Sequence, residues 1–176
     1  MSAPARERLF FAVWPDDATR AALAGIARSA LGRGDGRLVA AENLHLTLAF
    51  LGSVDEAFRA CAERAAGGVS APGFTLELVR AGCWPRARVL WSAPEETPDA
   101  LSALAAALNG ALRDCGFTPE ARPFRAHVTI ARKVRGNRRP IAHAPVRWRV
   151  DAFHLVASQT HPGGARYRRV HTFPLE

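Results

Sequence analysis

Apolar residues along this chain follow two rhythms. Runs rich in aromatic and β-branched residues predict strands at "ERLFFAVWP" (7–15), "HLTLAFLG" (45–52), "GFTLELVRAGCW" (73–84), "RVLWSAP" (88–94), "HVTIAR" (127–132), "VRWRVDAFHLVAS" (146–158) and "ARYRRVHTFPL" (165–175). The third and fourth read as an antiparallel pair joined near Pro85, and the last two as strands around the "THPGG" turn. Helical spacing takes over between them. Leu23, Ile26, Ala27, Ala30 and Leu31 form one stripe behind a cap at Asp16 or Asp17, stopped by Gly32 and Gly34. Phe58, Cys61, Ala62 and Ala65 form a second, opened by a Ser53/Glu56 capping box. Leu101, Leu104, Ala105, Leu108 and Leu112 form a third, opened at Thr97 and Pro98 and closed at Gly116.

The order of these elements repeats. A strand, a helix and then "HLTLAF" occupy 9–50; a strand, a helix and then "HVTIAR" occupy 89–132. Two copies of one unit predict two similar lobes about a pseudo-two-fold axis, which would turn the two motif strands toward each other. At 176 residues the chain has the size of one folding unit, so a single bilobal domain over 1–176 is expected.

Composition narrows the class. The chain is 48% hydrophobic and 23% charged, with no apolar run long enough to span a bilayer, and its first residues offer no signal-peptide core; a cytoplasmic location is the expectation. Cys61, Cys83 and Cys115 are odd in number and lack a CxxC pattern, so they are expected to be small buried hydrophobes rather than a disulfide or a zinc site. The net charge of +8 is uneven: residues 117–176 carry 11 arginines and Lys133 against three acids, whereas 1–116 is near neutral. A basic flank on a neutral body points to an anionic partner, nucleic acid or a phosphorylated small molecule, rather than a membrane.

The motif supplies the chemistry. Strand alternation puts His45, Thr47 and Ala49 on one face and Leu44, Leu46, Leu48 and Phe50 on the other. One His-x-Thr is a weak signal; two, each closing one copy of the repeat, define a site. Metal binding is disfavoured because zinc takes at least three protein ligands and threonine is a poor one, and no nucleophile elbow supports covalent catalysis. General acid-base chemistry on a phosphate ester fits the residue types. One neutral imidazole takes a proton while the other, protonated, gives one, and Thr47 and Thr129 hold the phosphoryl oxygens. Near symmetry leaves open which histidine is the donor. Arg132 lies three residues past Thr129, so alternation points it away unless the strand bulges.

At "RLFFAVWP", "HLTLAFLG", "RPFRAHVTIAR" and "GGARYRRVHTFPL" the chain resembles the two-histidine phosphoesterase superfamily, and within it the bacterial RNA 2′,3′-cyclic phosphodiesterases, also called 2′-5′ RNA ligases. The likeness runs from about residue 7 to 175. It implies an α+β fold of two lobes, each an antiparallel sheet with outer helices, and a central cleft lined by the motif strands. It also implies metal-independent hydrolysis of an RNA terminal 2′,3′-cyclic phosphate to a 2′-phosphomonoester; no cofactor is expected, and a monomer is the expectation. By the same resemblance His45 is proton donor, His127 proton acceptor, and Arg132 a phosphate contact, which favours the bulge. Ala126 departs from the proline usual before the second histidine. The segment "RKVRGNRRP" is a candidate RNA-backbone contact, and Phe11, Trp14, Phe50, Trp84, Trp91 and Tyr167 are available for base stacking. The alternatives are a phosphodiesterase or ligase acting on 2′-5′-linked RNA or another small cyclic phosphate, and a non-catalytic RNA-binding module.

Overall fold

The predicted strands and helices form, and the differences lie in where they break, cap and pack. A computed structural model describes residues 6–176; residues 1–5, the head of the segment read above as lacking a signal-peptide core, lie outside the described residues. The order is β1 (Glu7–Val13), α1 (Asp17–Ala30), β2 (Arg37–Leu38), a 3-10 turn (Ala41–Asn43), β3 (Leu46–Val54), α2 (Glu56–Gly67), β4 (Phe74–Trp84), β5 (Val89–Ala93), α3 (Asp99–Arg113), β6 (Val128–Arg132), β7 (Ile141–Val150), β8 (Ala152–His161) and β9 (Gly164–Pro174). Asp16 caps α1, its carboxylate accepting from the Thr19 N–H at 2.7 Å. The capping box expected at Ser53 does not form. Ser53 is the penultimate residue of β3, and Asp55 caps α2 instead by accepting from the Phe58 N–H.

Two antiparallel sheets result, in the orders β3-β1-β8-β9 and β2-β6-β5-β4-β7. In these orders β3, β1, β8 and β9 of one sheet correspond to β6, β5, β4 and β7 of the other, as the repeat predicts. The helices are exchanged. α1, which leaves β1, packs on β2, β6 and β7 of the other sheet, while α3, which leaves β5, packs on β3 and α2. Every stripe residue of α3 (Leu101, Leu104, Ala105, Leu108, Leu112) is buried, each leucine stabilising by about 1.5–3 kcal/mol. Buried residues of both sheets belong to one continuous core, with Trp148 and Phe153 among the largest.

Two further expectations are corrected. "VRWRVDAFHLVAS" is not one strand: it breaks at Asp151 into β7 and β8, which lie in different sheets. The change from alternating burial in "VRWRV" to continuous burial in "FHLVA" marks the break. Cys61 and Cys115 are disulfide-bonded, with Cα atoms 5.8 Å apart, whereas Cys83 is buried and free. Side-by-side packing of α2 and α3 brings together cysteines 54 residues apart in sequence, a proximity no local pattern announces. Among the described residues no helix is long and apolar enough to cross a membrane.

Candidate active site

Cross-strand partners share a face, so the pairing register decides which side chains reach the cleft. On β3, Thr47 faces Ala12 and Ala49 faces Phe11, leaving Leu48 as an extra residue. On β6, Thr129 faces Trp91 and Ala131 faces Leu90, leaving Ile130 extra. Each motif therefore carries a bulge three residues past its histidine, and each bulge resets the alternation. Beyond it, Ala49 turns into the core at 5% exposure and Phe50, paired with Phe10, turns to the cleft side, the reverse of simple alternation. Arg132, paired with Val89, likewise joins the Thr129 face. The bulge that Arg132 needs is present.

The histidines precede their strands by one residue and are held identically. The Nδ1–H of His45 donates to the Asn43 carbonyl at 2.7 Å, and that of His127 to the Arg125 carbonyl at 2.7 Å. A carbonyl only accepts, so both rings carry the proton on Nδ1 when neutral and present Nε2 as the titrating atom. Burial pushes His45 down to about 4, helped by the charges of Arg132 and His127 and opposed by the Asn43 carbonyl. Burial also lowers His127, again with Arg132 adding to the effect. Arg132 thus acts on both imidazoles.

The supporting walls differ between lobes. Trp14 stacks on His45, and Phe10 and Tyr167 close on the same ring. Trp84 meets His127 edge-on and leans on Trp91, which lies across Gly82, where a Cβ would come 2.4 Å from the Trp91 ring. A cleft of about 710 Å³ opens beside His127 and Thr47, between α3 and the loop 117–125; it does not include His45. Asn109 of α3 donates to the Leu48 carbonyl, the bulged residue of β3. Of these, Asn109 carried no signal in the sequence, being one polar residue on an apolar stripe. Phe50 carried a misleading one, since alternation assigned it to the core. Among the described residues no group of three or more His, Cys, Asp or Glu side chains is placed to hold a metal ion.

Comparison with known proteins agrees with this arrangement. Residues 15–162 match the sequence profile of the 2′-5′ RNA ligase superfamily. An Escherichia coli protein named RNA 2′,3′-cyclic phosphodiesterase is 44% identical over 97 residues, a stretch covering 55% of each chain, about half the length of that relative. A protein of the same name from Archaeoglobus fulgidus is 34% identical over 133 residues, 74% of each chain. The crystal structure of E. coli LigT complexed with 3′-AMP superposes with a TM-score of 0.89 at 34% identity, over 97% of this chain and 99% of that one. With its fold, its duplicated histidine motif and these matches in accord, the chain belongs to the 2′-5′ RNA ligase superfamily.

Proposed function

We propose that this protein is an RNA 2′,3′-cyclic phosphodiesterase, acting as a cytoplasmic monomer and a single bilobal unit on RNA ends or nucleoside 2′,3′-cyclic phosphates. The observation that carries the reading is the pair of Nε2-presenting imidazoles, one from each lobe, with Arg132 acting on both. The relatives' names and the nucleotide bound to E. coli LigT support the substrate class.

Water attacks phosphorus in line. As the new P–O bond forms, His127 Nε2 takes the water proton; as the P–O3′ bond breaks, His45 Nε2 gives its proton to O3′, leaving a 2′-phosphomonoester and a free 3′ hydroxyl. Thr47, Thr129 and Arg132 hold the non-bridging oxygens, where charge is held through the transition state. In the free protein both imidazoles favour the neutral form. Burial is the main cause of this and Arg132 adds to it; a phosphate anion beside Arg132 offsets that added charge and so favours protonation of His45.

The test is turnover of a nucleoside 2′,3′-cyclic phosphate by the purified protein in EDTA, from about pH 5 to 9. His45→Ala and His127→Ala are each expected to lose roughly 10²–10⁴-fold in rate while keeping the wild-type melting profile. Absence of turnover, or turnover that appears only on adding metal, overturns the reading.

A further inference from the structure

His45 and His127 occupy equivalent points of the two motifs, yet their surroundings differ. The register that sets Leu46 opposite Val13 brings Trp14 beside His45, whereas the register that sets Val128 opposite Ser92 brings only Ala93 to the same place beside His127. The Trp14 and His45 ring centroids are 5.1 Å apart with planes 11° from parallel. Phe10 lies 4.8 Å from the imidazole and Tyr167 lies edge-on at 5.1 Å. His127 meets Trp84 at 4.6 Å with the planes 75° apart, not stacked.

We propose that Trp14 is a positioning residue that makes His45 the proton donor of the pair, its indole face stabilising the imidazolium over the neutral ring. The inference rests on the phosphodiesterase reading above and deepens it by breaking the symmetry of the two histidines. Tryptophan is the strongest cation–π partner among the side chains, and the contact strengthens where water is excluded. A stacked indole does far less for a neutral imidazole, so it raises proton affinity selectively. The other groups facing His45 are Arg132 at the end of β6 and His127 just before it, whose positive charges oppose its protonation, the Phe10 ring from β1, the Tyr167 ring from β9, and the Asn43 carbonyl that favours it. Burial alone would leave this ring a poor proton carrier near neutrality, and Trp14 works against that. Ala93 has no π face, and Trp84, with its plane 75° from that of His127, does not stack on it, so His127 lacks the face-on indole that His45 has.

Trp14→Leu keeps an apolar cover over the ring and removes the π face; Trp14→Phe keeps a smaller one. Trp14→Leu is expected to lower the proton affinity of His45 about tenfold, equivalent to about 1.4 kcal/mol, and kcat/KM with it because the protonated share of His45 falls, and Trp14→Phe by less. An NMR titration of the full chain should show His45 losing its proton about one unit lower in Trp14→Leu, with His127 unmoved. A His45 titration unchanged from wild type, or a shift of His127 in its place, overturns the proposal. If wild type itself has no turnover, the phosphodiesterase reading fails, and the NMR titration still decides the coupling. Should Trp14→Leu not fold, the same titration on Trp14→Phe decides it: a lower value supports it and an unchanged one overturns it.

Discussion

His154 offers a quantitative test of the energetics of the cleft wall. It sits on β8 between Ala12 and Thr172, 6% exposed, with Nδ1 paired to the Thr172 hydroxyl at 3.0 Å. Burial, reinforced by the Arg169 charge and opposed by Asp151, pushes it from 6.5 to about 4. The folded state therefore binds this proton less readily than the unfolded state. The stability it contributes is complete above pH 6.5 and is lost as pH falls toward 4. At 1.36 kcal/mol per pH unit the full loss is about 3 kcal/mol, of which about 2 kcal/mol goes between pH 7 and 5. His154→Asn retains a hydrogen-bonding group near the Nδ1 position and cannot titrate. Urea unfolding of both proteins at pH 7 and pH 5 isolates the effect, since His45 and the carboxylates contribute equally to each. Wild type should lose about 2 kcal/mol more than the variant over that range, a midpoint difference of about 1 M at an m-value near 2 kcal/mol/M. Equal acid sensitivity in the two proteins would refute the reasoning.

Other expectations follow from single contacts. The Cys61–Cys115 bond closes a loop of 54 residues, so Cys61→Ser, or reduction of wild type, should cost about 4 kcal/mol by loop-closure entropy in the same urea assay; an unchanged midpoint with both thiols titratable contradicts this. Arg132→Gln should lower kcat/KM by about 10²-fold or more. It should also raise the NMR titration points of both His45 and His127, because the charge depressing them is gone. Gly82→Ala places a Cβ 2.4 Å from Trp91 Cζ2, so the ring must shift and disturb Trp84 against His127. A loss of about 1–3 kcal/mol in stability is expected, with lower turnover, measured by thermal melting and steady-state rates.

Much of this molecule is written locally. Helix stripes such as Leu101, Leu104, Ala105, Leu108 and Leu112, the strand runs, and the doubled His-x-Thr are short-range patterns, and apart from the break at Asp151 they carry over into the fold. Repetition of the motif was enough to predict two lobes meeting at the histidines. What the chain alone could not decide depends on pairing between distant segments. Parity along a strand counts correctly only until an extra residue is inserted. Whether Leu48 and Ile130 are extra is settled by the register of Phe11 with Ala49 and Leu90 with Ala131, not by anything within the motifs. That register puts Arg132 on the Thr129 face, sends Ala49 to the core and turns Phe50 out. The exchange of α1 and α3 between sheets and the Cys61–Cys115 bond arise the same way, because packing partners are chosen in space. So does the stacking of Trp14 on His45, where two nearly symmetric motifs become unequal because the neighbour supplied by β1's end is an indole and that supplied by β5 is a methyl group.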